Sequence, residues 1–175
     1  HNIEVLDFTK MATNFFGSLD DEVNYLKTYE WLNFNKMLHI EKQDLIVIAG
    51  RPAMGKTAYS LSLALQLAKN KHHGIFFSLE MSPTQLFKRS LSQLSGIPLS
   101  KFNRDGIMNF TDDEDKSLTL AKNEMSKLND NFKVVSGNFT IELIKQQIEI
   151  VSQFKQLNYI MIDYLQLIKP ENNSS

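Results

Sequence analysis

Gly50-Arg51-Pro52-Ala53-Met54-Gly55-Lys56-Thr57 fits the spacing G-x-x-x-x-G-K-[ST] without a gap. The flanks make the match informative. Asp44 to Ala49 (DLIVIA) precedes it as a short apolar run and reads as a buried strand. Ala58 to Lys69 follows as a helix with apolar positions at Leu61, Leu65 and Ala68. A glycine-rich loop between a strand and a helix is a phosphate cradle. Gly50 and Gly55 let the backbone wrap closely with its amides pointing inward. The helix adds the positive end of its dipole. Lys56 supplies a compact cation for phosphate oxygens, and the Thr57 hydroxyl suits a magnesium ion, which prefers oxygen ligands.

Elements on the C-terminal side continue the alternation of strand and helix. Gly74 to Leu79 (GIFFSL) reads as a second strand. Ser82-Pro83-Thr84-Gln85 opens a helix, with Ser82 as cap, Pro83 in the first turn and Gln85 completing a capping box. Thr111 and Glu114 form a second capping box, for a helix to about Leu128. Phe132 to Val135 is a third strand, Thr140 caps a helix to about Phe154, and Tyr159 to Asp163 (YIMID) is a fourth strand. This order predicts an α/β fold with a mostly parallel sheet and helices on both faces. Ligands of such folds bind at the C-terminal strand ends. Residues 28–43 give no clear periodicity. In residues 3–19, Phe8, Met11, Phe15, Phe16 and Leu19 fall near helical spacing and suggest an amphipathic helix.

Two acids end strands. Asp163 ends YIMID and is either a strand-terminating surface residue or the acid that holds magnesium beside the cradle. Glu80 ends GIFFSL and either begins the next helix cap or polarises a water for attack on a γ-phosphate. Ser82 already serves the cap, which weakens the first alternative. Arg89, on the helix after Glu80, reads by itself as an ordinary surface arginine.

Composition narrows the class. The 175 residues suffice for one domain with a core. The 42% hydrophobic and 22% charged fractions are those of a water-soluble globular protein, and no apolar run approaches the roughly 20 residues that cross a bilayer. No signal peptide is visible. With no cysteine, a disulfide framework and a zinc–thiolate site are excluded. The expected place is the cytoplasm, with no membrane partner. A net charge of −1 argues against a protein that coats nucleic acid through one basic face. Both ends read as those of a segment of something longer.

GRPAMGKT, then FFSLEMSPTQLFKRSLSQLSGIPLSKF, then IMIDYLQLI, in that order and spacing, resemble the DnaB-type replicative DNA helicases over roughly residues 44 to 168. The resemblance implies a RecA-like P-loop NTPase domain over residues 28–175, entered through a linker helix within residues 1–27. It implies ATP and Mg2+ as cofactors, held by Gly50, Ala53, Met54, Gly55, Lys56, Thr57 and Ala58, with Thr57 and Asp163 at the metal. It implies Glu80 as the catalytic carboxylate, Lys56 on the phosphates, and Arg89 reaching toward the γ-phosphate from the same subunit. Gln166 matches a family glutamine of open role. The assembly implied is a homo-hexameric ring on single-stranded DNA, with a primase and a helicase loader as partners. In the family the linker helix packs on the neighbouring motor domain; the alternative is a helix folded back on its own.

A RecA-type recombinase, or an ATP-dependent switch or loader of the same superfamily, is the alternative function. Three departures from the family stand out. Thr28 to Gln43 has no glycine where the family keeps several. Ser136-Gly137-Asn138-Phe139 replaces an acidic pattern, and the next helix carries Lys145 and Gln146 where basic positions are expected. The family's γ-phosphate-sensing glutamine, DNA-binding loops and arginine finger would all come after residue 175.

Overall fold

The computed structural model describes residues 9–11, 13, 25–41, 43–103 and 109–170. The expected linker helix lies almost wholly outside the described residues; Thr9, Lys10, Met11 and Thr13 are helical. The described elements are β1 (Tyr25–Leu26), α1 (Leu32–Met37), β2 (Ile40–Glu41), α2 (Lys56–Lys69), β3 (Gly74–Ser78), α3 (Pro83–Ser95), α4 (Asp112–Leu128), β4 (Phe132–Ser136), α5 (Ile141–Phe154) and β5 (Tyr159–Asp163). Strands β3, β4 and β5 form a parallel sheet in the order β4-β3-β5.

All five residues of the central strand β3 are buried, as a strand covered on both faces requires. Its side chains alternate between two cores. Phe76 packs with Leu61, Leu67, Leu86, Leu128 and Tyr159, under α2, α3 and α4. Ile75 and Phe77 face the other way, onto Phe139 and Ile144 of the α5 side. Burying each large apolar side chain contributes about 1.5–3 kcal/mol, so β3 anchors both layers. Phe139, in the segment that departs from the family pattern, meets Phe77 edge-on with ring centroids 5.5 Å apart. The departure therefore fills the core.

The capping residues act as their sequence predicts. Ser82 with Gln85, and Thr111 with Glu114, form complete capping boxes, and the Thr140 hydroxyl accepts from the Leu143 amide. Helix α2 starts two residues earlier than expected, at Lys56.

DLIVIA is a correction. Residues 44–49 form no strand, and Leu45, Ile46, Val47 and Ile48 are 88, 45, 73 and 36% exposed. An apolar run becomes a buried strand only where a neighbouring strand pairs with it and layers cover it. None of the described elements does either. The outer edge of β5, where Ile160 is exposed, is likewise unpaired among the described residues.

The glycine-free stretch before it is held by side chains. The Thr28 amide and hydroxyl both donate to Asn35 Oδ1, and Asn35 Nδ2 donates back to the Thr28 carbonyl. Gln66 of α2 accepts from the Glu30 amide through Oε1 at 2.7 Å. Gln43 takes the left-handed conformation, at φ 75°, in the turn where a glycine would have been free of strain.

Lys71 is a second such residue, with φ 63°. It follows the Asn70 cap of α2; its amide donates to Ala68 O, and the His72 amide donates to Leu67 O. These two bonds make a Schellman motif whose left-handed position is normally glycine. A left-handed non-glycine residue costs about 1–2 kcal/mol, partly offset by the extra freedom glycine brings to the unfolded chain. Lys71→Gly is expected to stabilise the fold by about 1 kcal/mol, read as a Tm increase of a few degrees. A lower Tm would show that the lysine stem packs there.

His72 ties this helix end to the residue after β1: its Nε2 accepts from the Lys27 amide at 3.1 Å. Burial holds the imidazole below its ordinary value of 6.5, so the folded state keeps it neutral. The unfolded chain takes up the proton near 6.5. Stability from this group is therefore complete above that pH and declines as pH falls through the lower folded value. Urea midpoints should fall between about pH 7.5 and about pH 5.5, and His72→Gln, which keeps an acceptor but cannot titrate, should flatten the slope. His73, also lowered, mainly by burial, leaves a residual slope.

Candidate nucleotide-binding site

The loop 50–57 opens at the N-terminus of α2. Gly55 caps that helix at φ 86°, with no side-chain bond to the first-turn amides. Those amides therefore remain as donors, which is how a helix start binds anions. Ala53 is also left-handed, at φ 63°, so the loop turns sharply at two places. Lys56 Nζ donates to the carbonyls of Gly50 and Arg51 at 2.9 and 3.2 Å. An ammonium has three donors, so one remains for an outside oxygen. Gly50 lies against the Lys56 stem: a carbon added there would sit 3.5 Å from Cγ.

Glu80 and Asp163 stand at one end of the sheet. In the parallel register Ser78 pairs with Asp163, and the Leu79 amide donates to the Asp163 carbonyl at 2.8 Å. Glu80 follows one residue later, exposed. The buried Ser78 hydroxyl donates to Met81 O at 3.0 Å and accepts from the Met81 amide. This clamp fixes the turn that carries Glu80.

Helix α2 brings its first turn to the same rim. Its middle and last turns meet the N-terminal strand ends: Tyr159 Oη donates to Ala64 O at 3.0 Å, and Asn131, just before β4, donates to Ala68 O. The helix thus runs antiparallel to the strands. From Ala64 back to Thr57 is about 10 Å at 1.5 Å per residue, and from Tyr159 to Asp163 is about 13 Å at 3.3 Å per residue. Thr57 and Asp163 therefore lie near the same level.

Asp163 is 6% exposed, and its Oδ2 is buried with no hydrogen-bond partner among the described residues. A buried unpaired carboxylate oxygen is costly, and a cation beside it would offset that cost. Among the described residues no group of three His, Cys, Asp or Glu could cage a metal. Magnesium needs no such cage where phosphate oxygens, water and one or two protein oxygens complete its shell.

Arg89 also carries a buried nitrogen, Nε, without a partner among the described residues. One turn on, Gln93 Nε2 donates to Ala58 O at 3.0 Å. Residues four apart share a helix face, so Arg89 lies between the Glu80 turn and the start of α2. Sequence reasoning passed over Ser78 and Gln93; the four-residue spacing of Gln93 from Arg89 is a signal that could have found it. Met54 is 74% exposed on the loop. Gln166 lies in the short 3-10 turn Leu165–Leu167 past β5.

The family described as DnaB-like helicase C terminal domain matches residues 28–175. The replicative DNA helicase DnaB of Rickettsia bellii is 35% identical over 152 residues, covering 80% of this chain and 30% of that protein. This chain thus spans about a third of the length of such relatives. A solved structure of an isolated ATPase domain superposes with a TM-score of 0.77 at 24% identity, covering 98% of this chain and 62% of that one. A DnaB-like replicative helicase, described with its interactions with primase, gives a TM-score of 0.79 at 21% identity, covering 98% of this chain and 42% of that one. The fold is therefore the RecA-like ATPase fold of these structures. No described helix is long and apolar enough to cross a membrane. By sequence match and by fold, the chain belongs to the DnaB-like helicase C-terminal domain family.

Proposed function

We propose that this chain is the nucleotide-binding part of an ATP-driven replicative DNA helicase motor. What supports the reading is the inferred approach, at one sheet rim, of a helix start with no side-chain cap, bearing Lys56, to the acids Glu80 and Asp163 at the strand ends. Gly50, Ala53, Met54, Gly55, Lys56, Thr57 and Ala58 form the cradle, with backbone amides and the Lys56 ammonium on the phosphates. Thr57 and Asp163 would hold a magnesium ion, directly or through water. When bound, the ion draws charge from the phosphate oxygens and makes the terminal phosphoryl group easier to displace. Glu80 orients a water for in-line attack and accepts its proton. Arg89 extends its guanidinium toward the charge that spreads on the γ-phosphate.

The larger assembly is part of the same proposal: a homo-hexameric ring on single-stranded DNA in the cytoplasm, working with a primase and a helicase loader. Residues 28–175 make up the first portion of the motor domain, and residues 1–27 lead into it as a linker. The exposed DLIVIA run and the open β5 edge support a domain completed by further strands from a longer protein.

The test uses a forked duplex with a single-stranded tail, Mg·ATP and the longer protein that carries this chain. Strand separation, with phosphate release stimulated by single-stranded DNA, is the expected result; strand exchange without separation would move the chain to the recombinases. The 175-residue chain alone should bind Mg·ATP, hydrolyse it slowly and unwind nothing. An arginine finger from a neighbour contributes about 10³–10⁵ in rate. Unwinding by the isolated chain would sink the assignment of DNA contacts and finger to other residues.

A further inference from the structure

At the opposite end of the sheet from Glu80 lies a cavity of about 410 Å³, where the C-terminus of α5 passes the starts of β3 and β4. Ile150, Phe154 and Leu157 give it an apolar wall, and Lys133, Lys155, His73 and Asp130 stand around it. The apolar wall continues outward: Phe154 is 84% and Ile150 48% exposed. An aromatic ring so open beside a concave apolar surface is unusual for a solvent-facing helix end and typical of a contact site.

The charges select the partner. Among the described residues neither Lys133 nor Lys155 takes part in an ion pair; Lys133 Nζ donates to Asn129 O at 2.7 Å, and Lys155 Nζ reaches Asn131 Oδ1 at 3.5 Å. Both keep donors free for carboxylates. Burial, and then Lys155, hold His73 below its ordinary value, so it stands neutral at about pH 7 and adds no charge. Asp130 is the one acid among the described lining residues, which leaves the two lysines in excess.

We propose that this cavity is a docking site for a partner protein's acidic segment, one that inserts a large apolar side chain against Phe154 and Ile150 and places flanking carboxylates on Lys133 and Lys155. Strand β3 separates the cavity from the nucleotide rim by about 13 Å, at 3.3 Å per residue. A partner seated here leaves the phosphate site open, so both can be occupied at once.

The test is selection of short random peptides displayed on phage against the 175-residue chain, followed by fluorescence anisotropy with synthetic copies of the selected peptides. The expected consensus is a large apolar residue flanked by Asp or Glu, binding in the micromolar range. Lys155→Glu and Lys133→Glu should each weaken binding at least tenfold. Replacing the peptide acids by lysine should restore binding to the Lys155→Glu variant. Phe154→Ser, at a side chain too exposed to hold the fold, should weaken binding while the circular dichroism spectrum and fluorescent-ATP affinity stay at parent values. The proposal is overturned if no peptide is selected, if the consensus lacks acids, or if binding is indifferent to the lysine and Phe154 variants.

Discussion

Glu80→Gln should leave Mg·ATP binding within about threefold of the parent while phosphate release falls by about 10²–10⁴, the contribution of a positioned general base. The substitution keeps shape and removes charge. A neutral amide still offers an oxygen to a water but does not take its proton. Because Glu80 is exposed and the turn beneath it is held by Ser78, the variant has no reason to unfold. A single-turnover assay with enzyme in excess separates binding from chemistry. Parent-rate turnover would show that the attacking water is activated from elsewhere. Lys56→Ala is the useful contrast. It removes a charge-assisted contact worth about 1.5–3 kcal/mol and also the two bonds that brace Gly50 and Arg51, so binding and turnover should fall together. Lys56→Ala thus reports the cradle, whereas Glu80→Gln reports the chemistry.

That both acids reach one rim was legible in the sequence because each ends an apolar strand, and parallel strands in an α/β unit present their C-terminal ends on one side. The caps were legible because Ser82, Thr111 and Thr140 each act on the amide three residues on, and local chemistry decides them. DLIVIA failed for the opposite reason. Burial belongs to whatever covers a residue, and nothing in its six letters records that the described chain provides no cover. The segment at residues 28–43 was opaque because its hydrogen bonds run through Thr28, Asn35 and Gln66, and Gln66 lies 36 positions from Glu30. Arg89 was ambiguous alone, since arginines are common on helix surfaces. Its buried Nε, without a partner among the described residues, is a property of the packed α3 face, not of the residue.

Gly74→Ala should destabilise the protein by about 2–6 kcal/mol, and this larger structural effect bears on the same site. A methyl carbon at Gly74 would overlap the Tyr159 ring at Cζ, Cε1 and Cε2. Most side chains in such a position could swing aside. Tyr159 is 9% exposed, packs within the core under α2, and donates its hydroxyl to Ala64 O at 3.0 Å. Moving the ring costs about 1–3 kcal/mol of overpacking and about 1–3 kcal/mol for the buried bond it abandons. Urea unfolding checks the sum, and Tyr159→Leu in the Gly74→Ala background should recover part of it, because the two residues couple only through that overlap. Destabilisation under about 0.5 kcal/mol, the size of an ordinary surface change, would contradict the placement of Tyr159 over Gly74. The consequence reaches the rim. Gly74 faces Tyr159 at the start of the ladder that ends with Ser78 facing Asp163. A one-residue slip would turn each side chain to the other face, carrying Asp163 away from the start of α2 and Glu80 out of line with it. The close fit of Gly74 under the Tyr159 ring thus belongs to the same ladder that holds Asp163 at its other end. A Gly74→Ala protein that still folds at low temperature should therefore lose turnover beyond what its unfolded fraction explains.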